Sequence, residues 1–350
     1  MNKLIRGDVW RLRQLAWFAL VALGIASSTA ADELPTIGEI ERLDPAFDAL
    51  VPPGAKMEII ADGFDWSEGP LWIPADGGFL IFSDIPPNKI YRWDSQHGKQ
   101  EYLYPSGYTG STPRGGEIGA NSTILDQQGR LILCQHGDRR IARMDSPLDH
   151  PAPKFVTVAD RFDGKRLNSP NDAALHSSGA IYFTDPPYGL EGNMDDPAKE
   201  LDFQGVYRVT PDGAVTLLTK ELERPNGIAF SPDEKTLYVA NSHGPRPIIM
   251  AFPVLEDGTL GAGKVFFDCT ELAKPQQGGH DGMELDEHGN LFATGPGGVL
   301  VLSPEGKHLG TLKTGQATSN VAFGEDGKTL FITADMYVLR IPLTTKGKGF

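Results

Sequence analysis

The sequence predicts an all-β fold, a six-bladed β-propeller, because one short β-rich unit recurs six times after residue 64. Each copy starts with a polar residue, often Asn, and continues as an apolar run, an Asp/Gly turn and a second apolar run. The copies start at Gly69, Asn121, Asn171, Asn226, Asp281 and Asn320, which are 52, 50, 55, 55 and 39 residues apart. Repeats of this length are typical of propellers or solenoids. Two short apolar runs joined by a turn indicate hairpins, and no later stretch has a sustained helical period, which favours the propeller.

Further strands complete the predicted blades and close the ring. Third strands recur at residues 89–94, 140–145, 205–213 and 337–343. The last copy is short, because the chain ends at Phe350. We therefore expect the early strand Met57–Phe64 to pair beside the C-terminal strand and fasten the ring, which leaves only short sheet edges exposed.

The first thirty residues are predicted to be a secretory signal peptide. They combine a basic start, the 12-residue apolar run Leu15–Ala26 and the small residues Ser27–Ala31. That order is typical of a cleaved signal, and the apolar run is shorter than the roughly 20 residues that span a bilayer. We therefore expect residues 1–30 to be removed, residues 31–55 to form an N-terminal arm and residues 56–350 to form a single catalytic propeller domain. The predicted location is periplasmic or secreted, with no stable membrane anchor after cleavage.

The charge balance argues against nucleic acid as a partner. The chain has 32 Lys and Arg against 46 Asp and Glu, so its formal net charge is −14. A protein this acidic is poorly suited to binding phosphate backbones. Oligomeric state does not follow from the sequence.

The two cysteines, Cys134 and Cys269, are predicted to be buried free thiols. Each lies in an apolar, strand-like run of a different repeat. A disulfide stays open as an alternative, because the distance between the two residues cannot be read from the sequence.

Oxygen-bearing side chains open all six predicted innermost strands. These strands run alongside the central channel of a propeller, so their starts gather at one end of it. Carboxylate and amide oxygens are the ligands that Ca²⁺ prefers. No Cys or His cluster has the spacing of a zinc site, which argues against zinc as the native ion. The six residues are Glu68, Asn121, Asn171, Asn226, Asp281 and Asn320.

A turn is the alternative explanation for each Asn-Gly or Asp-Gly pair taken alone, because Asn and Asp tolerate positive φ and bond their own backbone. The recurrence of a polar residue at the same strand start favours a shared site. Glu68 is the member that a turn does not require.

Four stretches of the chain resemble the SMP-30/gluconolactonase family and its relatives among calcium-dependent lactonases and organophosphate hydrolases. They are SEGPLW, RLNSPNDAALHSSGAIYFTDPPYGL, RPNGIAFSPDEKTLYVANS and GGHDGMELDEHGNLFATG, and the similarity covers about residues 55–343. The resemblance implies a six-bladed propeller with a divalent ion, usually calcium, near the channel mouth. It also implies four metal ligands: Glu68, Asn171, Asn226 and Asp281.

Other residues near these motifs are predicted to bind substrate. Arg166 and Asn168 match a recurring family stretch and could bind substrate hydroxyls, although Arg166 could equally be a solvated loop charge. His280 stands where the family usually has Pro, and we expect a rim residue there rather than a proton carrier. Asn121 is expected at the mouth, although its Ala-Asn-Ser context departs from the common Asn-Gly. The insertions 104–119 and 190–203 are candidate walls of the mouth.

The predicted activity is the opening of a lactone ring, and the expected substrate is a sugar lactone such as glucono-1,5-lactone. A bound ion would stabilise the oxyanion as water attacks the carbonyl. Asp281 is the first choice as base and Glu68 the second. The sequence contains no Gly-x-Ser-x-Gly motif, the pattern that would indicate a serine nucleophile. We expect Asp185 to be a turn residue or a structural calcium ligand, and His136 to be a channel or core histidine.

Three alternatives stay open at this point. The ion is predicted to be Ca²⁺, with Mg²⁺, Mn²⁺ or Zn²⁺ possible. The same site could hydrolyse other esters or phosphoesters. The chain could also be a non-catalytic propeller that uses calcium for rigidity and binds a partner or carbohydrate.

Overall fold

Six β-sheets surround a central channel in the computed structural model, which describes residues 33–75, 77–274 and 278–350. The six-bladed propeller predicted from the repeats is therefore confirmed. The predicted signal peptide, residues 1–30, lies outside the described residues. Within the part of the chain that the structure describes, no helix is long and apolar enough to cross a membrane.

The chain enters the propeller through an N-terminal segment that contributes strands to two blades. Its elements are β1 (Thr36–Ile37), β2 (Glu39–Arg42), a 3₁₀ helix (Pro45–Ala49) and β3 (Met57–Asp62).

The first three blades are antiparallel four-stranded sheets. Blade 1 comprises β4 (Ser67–Ile73), β5 (Phe79–Asp84), β6 (Lys89–Asp94) and β7 (Gly98–Leu103). Blade 2 comprises β8 (Ala120–Leu125), β9 (Leu131–Gln135), β10 (Arg140–Met144) and β11 (Phe155–Ala159). A small hairpin follows, formed by β12 (Arg161–Phe162) and β13 (Lys165–Arg166). Blade 3 comprises β14 (Ala173–Leu175), β15 (Ile181–Asp185), β16 (Gly205–Val209) and β17 (Val215–Thr219), with a 3₁₀ turn at Asn193–Asp195.

The other three blades repeat the pattern. Blade 4 comprises β18 (Pro225–Phe230), β19 (Thr236–Asn241), β20 (Ile248–Pro253) and β21 (Lys264–Asp268). After the short helix α1 (Thr270–Ala273), blade 5 comprises β22 (Met283–Leu285), β23 (Leu291–Gly295), β24 (Gly298–Leu302) and β25 (His308–Lys313). Blade 6 comprises β26 (Thr318–Gly324), β27 (Thr329–Ala334) and β28 (Tyr337–Pro342).

The N-terminal strands close the ring. β3 pairs with β28, as the sequence predicted, with Ile59 opposite Leu339, and β1 continues that sheet beyond β3. β2 pairs instead with β25 of blade 5, with Ile40 opposite Leu312. The described part of residues 31–55 therefore joins blade 5 to blade 6, and Phe47 is fully buried between them.

The hydrophobic core is divided into six apolar layers, one between each pair of neighbouring blades. Aromatic rings fill several of them: Phe183 stacks on Tyr207, and Trp72 stacks on Phe331. Cys134 lies in the layer between blades 2 and 3 and Cys269 in the layer between blades 4 and 5, and both are buried free thiols. The apolar packing that stabilises the propeller therefore lies between neighbouring blades.

A hydrogen bond near the channel joins neighbouring blades at every junction of the ring. The bonds are Ser83 Oγ to Asn121 O (2.8 Å), Ser122 N to Asn171 O (3.1 Å), Ile228 N to Asp172 Oδ2 (3.1 Å), Gly227 N to Asp281 O (3.1 Å), Gly282 N to Ser319 O (2.7 Å) and Ser319 Oγ to Ser67 O (2.6 Å). These bonds fix the height at which the residues that open the inner strands stand in the channel.

Close approach of the blades explains the glycines that follow Asn226 and Asp281. A Cβ on Gly227 would lie 2.0 Å from the carbonyl oxygen of Asp281, and one on Gly282 would lie 1.9 Å from the side chain of Asn320. Neither glycine has a positive φ. The turn interpretation of these two pairs is therefore wrong, because the glycines give the next blade room rather than a left-handed backbone.

Replacing Phe47 by Ala should destabilise the propeller although the residue belongs to the N-terminal segment. Removal of a fully buried phenyl ring costs about 3 kcal/mol or more. Urea unfolding followed by tryptophan fluorescence would measure the change. Leu43→Ala is the matched control, because Leu43 is 54% exposed. Equal stability of the two variants would show that the segment does not clamp blades 5 and 6.

Replacing Gly227 by Ala should lower the free energy of unfolding by about 1–3 kcal/mol, the usual cost of forcing a methyl group into packed structure. Gly244→Ala is the control, because its Cβ would meet no atom within 4 Å and its φ is not positive. Denaturant titration of both variants would measure the difference. Wild-type stability of Gly227→Ala would contradict the close approach of blades 4 and 5.

Candidate functional site

Side chains from several blades line one cavity at an end of the channel. The cavity has a volume of about 240 Å³. Its lining includes six of the residues singled out in the sequence: Glu68, Asn121, Asn171, Asn226, His280 and Asp281. Asn320, the remaining inner-strand residue, does not line it. Its Nδ2 donates to Glu68 Oε2 at 3.2 Å, and it lines a second cavity together with Ser122 and Asp172.

Four of these side chains present buried oxygen atoms that have no hydrogen-bond partner within the protein. They are Glu68 Oε1, Asn121 Oδ1, Asn171 Oδ1 and Asn226 Oδ1. Each of the four residues is at most 4% exposed. A buried polar atom without a partner costs free energy, so its retention calls for an explanation, such as a bound ion. Among the described residues, no three His, Cys, Asp or Glu side chains form a metal-binding group. The donor set mixes amides with carboxylates and fits a hard divalent cation.

The electrostatic environment of the Glu68 and Asp281 carboxyl groups also favours a bound cation. Burial raises the pKa of Glu68 to about 8, with the charge of Asp172 as a smaller cause. Burial, followed by the charge of Glu68, raises the pKa of Asp281 well above its usual value. A cation between the two carboxyl groups would favour their ionised forms and reverse both effects.

Asp185 acts as an anchor for the segment that leads into Asn171. Its two carboxylate oxygens accept hydrogen bonds from the backbone N–H groups of Asn168 (2.7 Å) and Ser169 (2.8 Å). Asp185 is fully buried, and burial raises its pKa to about 7. Its contacts are those of a residue that positions the Ser169–Pro170–Asn171 segment.

The structure does not bring Arg166 and Asn168 into the cavity. Arg166 donates from Nη2 to the carbonyl of Asp138 (2.7 Å). Asn168 donates from Nδ2 to the carbonyls of Asp185 (3.0 Å) and Phe203 (2.9 Å). These bonds hold loops of blades 2 and 3, while Asn168 Oδ1 is buried without a partner. The insertion 190–203 does not line the cavity either.

Several residues that line the cavity are not predicted by any motif in the sequence. Glu117 belongs to the insertion 104–119, which was singled out as a wall, but no motif marked the residue itself. Tyr188 follows the Asp185-Pro-Pro turn, and its hydroxyl pairs with Ser242 Oγ. Burial raises the pKa of Tyr188 to about 12, so the phenol keeps its proton. Trp66 and Thr318 also line the cavity.

His280 lies at the cavity as a neutral imidazole. Burial lowers its pKa to about 4. Its Nδ1 lies 2.9 Å from the carbonyl oxygen of Thr294, which can only accept, so Nδ1 carries the proton. Nε2 is left as a buried acceptor without a partner. The side chain can therefore accept a hydrogen bond from a bound molecule.

Comparison with known proteins identifies the family. Residues 66–335 match the family described as SMP-30/Gluconolactonase/LRE-like region. The chain is 40% identical to a gluconolactonase of Zymomonas mobilis, over 89% of this chain and 88% of the relative. It is 32% identical to a 6-deoxy-6-sulfogluconolactonase of Pseudomonas putida, over 76% and 82% of the two chains. The solved structure of XC5397, a gluconolactonase from Xanthomonas campestris, superposes with a TM-score of 0.75 at 33% identity, over 89% and 97% of the two chains. The chain therefore belongs to the SMP-30/gluconolactonase family of lactonase-like hydrolases.

Proposed function

We propose that the protein is a divalent-cation-dependent lactonase that opens the ring of a sugar lactone, as a gluconolactonase does. One observation supports this most strongly: buried oxygens of Glu68, Asn171 and Asn226, which come from three different blades, converge on one cavity without partners inside the protein. Membership of a family whose relatives include gluconolactonases supports the choice of a lactone as substrate.

Glu68, Asn171, Asn226 and Asp281 would hold the cation. Two carboxylates balance its charge, and two neutral amides complete the set with oxygen donors, which favours Ca²⁺. Mg²⁺, Mn²⁺ and Zn²⁺ are the alternatives that the test below includes. When bound, a divalent cation supplies Lewis-acid polarisation of the lactone carbonyl.

Asp281 is the better placed of the two carboxylates to act as general base. Glu68 is fully buried, and its Oε2 accepts hydrogen bonds from Gly69 N (2.5 Å) and Asn320 Nδ2 (3.2 Å). These bonds hold Glu68 in one orientation. Asp281 is only half-buried and faces the cavity. Its carboxylate can therefore reach a water molecule beside the substrate and take a proton from it.

The serines near the site support structure rather than nucleophilic attack. Ser67 Oγ donates to the carbonyl of Tyr337 (2.9 Å). Ser169 Oγ donates to the carbonyl of Pro186 (2.6 Å) and accepts from Gly189 N (2.9 Å). Neither hydroxyl is paired with a histidine. Water is thus the nucleophile of the proposed reaction.

The remaining walls would bind and orient the substrate. The hydroxyl pair of Tyr188 and Ser242 and the Nε2 acceptor of His280 can exchange hydrogen bonds with the hydroxyl groups of a small lactone. A net charge of −14 makes a nucleic-acid partner unfavourable. We further propose that the mature protein works in the periplasm or outside the cell, on the evidence of its N-terminal sequence.

Glu68→Gln and Asn226→Ala should each lower cation affinity and lactone turnover together, by roughly tenfold or more, because each removes an oxygen ligand or its charge. Calorimetric titration with Ca²⁺, Mg²⁺, Mn²⁺ and Zn²⁺ would measure affinity. A pH-indicator assay on lactones, aryl esters and phosphotriesters, after EDTA treatment and metal return, would measure turnover. Glu256→Gln, an exposed residue, is the control. Full activity of either ligand variant would overturn the ligand assignment, and preference for a non-lactone would overturn the substrate.

Cation binding at pH 7 should release at least one proton, because the pKa values of two proposed ligands, Glu68 and Asp281, are raised without a cation. Without a cation, burial holds the pKa of Glu68 at about 8, so the carboxyl is mostly protonated at pH 7, whereas a metal ligand must be ionised. Affinity should therefore rise between about pH 6 and 8. Titrations in buffers of different ionisation enthalpy would count the protons. A binding enthalpy that does not depend on the buffer would contradict the burial of this carboxyl group at the cation site.

A further inference from the structure

Blade 2 and the loop before it contribute two acceptor groups to the cavity that the four proposed cation ligands do not include. We propose that Glu117 and Asn121 form a hydroxyl-binding subsite, which makes the enzyme select neutral polyhydroxylated lactones over lactones without hydroxyl groups. This inference rests on the proposed lactonase function and adds a specificity-determining residue to it.

Glu117 reaches the cavity from its open side. Its side chain is 39% exposed, whereas Glu68 is fully buried. It lines the same cavity as Glu68 and Asp281. The described residues nevertheless contain no metal-binding group of three acidic side chains, so Glu117 does not complete a cluster with those two carboxylates. Glu117 therefore stands in the wall of the cavity, where its carboxylate can contact a bound molecule.

One buried polar side chain lies beside Glu117, and a second lines the same cavity. His136 is fully buried, and its Nδ1 lies 3.4 Å from Glu117 Oε2. Neither ring nitrogen of His136 has a hydrogen-bond partner. Asn121 is 3% exposed, lines the cavity and has a partnerless Oδ1. His136 limits where the carboxylate can move, and Asn121 places a second acceptor in the same cavity.

The loop that carries Glu117 is fixed at both ends. Near its start, Asn88 Oδ1 accepts from the backbone N–H groups of Gly107 (2.7 Å) and Tyr108 (3.1 Å). Near its end, Gly119 N donates to the carbonyl of Ile85 (2.9 Å). A Cβ on Gly119 would lie 2.6 Å from that carbonyl oxygen, so the loop is pressed against blade 1. A wall held in this way is preorganised and loses little entropy when it binds a ligand.

The chemistry of the pair selects for hydroxyl donors. A carboxylate accepts strong, charge-assisted hydrogen bonds and can serve two hydroxyl groups at once. A buried amide oxygen accepts another. A lactone without hydroxyl groups would leave these acceptors unpaired, and sites built to bond a hydroxyl discriminate strongly against analogues that lack it. A lactone that carries an anionic group near Glu117 would be repelled.

The test compares glucono-1,5-lactone with δ-valerolactone, which has the same ring and no hydroxyl groups. Replacing Glu117 by Ala should reduce kcat/KM for the hydroxylated lactone roughly tenfold or more beyond any change for δ-valerolactone, the value of one hydrogen bond to a charged group. The loss should appear mainly in KM. Glu117→Gln, which keeps an acceptor oxygen in the same shape, should retain part of the preference.

Glu191→Ala is the matched control, because Glu191 is an exposed carboxylate beside the same loop and does not line the cavity. Its ratio of the two kcat/KM values should equal that of the wild type. Calorimetric titration with Ca²⁺ should show that Glu117→Ala still binds the ion. Equal losses on both lactones, or no loss on either, would overturn the subsite. A wild-type protein that opens neither lactone would overturn the proposed function itself, which is a different result.

Discussion

The closeness of the six blades around the channel is the constraint from which the rest of the site follows. At each junction one blade donates a hydrogen bond to its neighbour, and at Gly227 and Gly282 no side chain would fit between them. Residues that are 158 positions apart in the sequence, as Glu68 and Asn226 are, therefore line one cavity of about 240 Å³. Asn121, Asn171 and Asp281 take part in the junction bonds through their carbonyl oxygens, which leaves their side chains available to the site.

Stability and function are separated in this architecture. Apolar layers lie between neighbouring blades, and the N-terminal segment ties blade 5 to blade 6. The cavity at the end of the channel holds four buried oxygens without partners and two carboxyl groups whose pKa values burial raises. Such groups destabilise a folded protein unless a ligand satisfies them. The propeller can retain them because its packing lies elsewhere.

The fold was predictable because strand alternation and turn chemistry repeat in every blade. Ring closure by β3 followed from the short last repeat. The site was predictable as far as the repeat marks it: Glu68, Asn121, Asn171, Asn226 and Asp281 each stand at the same place in a blade. Glu117, Tyr188 and Ser242 were not predictable, because they lie on connections whose course depends on tertiary contacts. The motif around Arg166 and Asn168 was misleading for a related reason. It places the two residues near the site in the sequence, but it does not determine the direction in which their side chains point.

The central claim is that a single cation is held jointly by side chains of four blades. Anomalous diffraction from crystals of the mature protein soaked in Mn²⁺ or Ca²⁺ tests it most directly. The account predicts one strong peak in the channel cavity, with oxygens of Glu68, Asn171, Asn226 and Asp281 about 2.1–2.6 Å away. A peak held by other residues, or the absence of any peak at a concentration that supports activity, would contradict it.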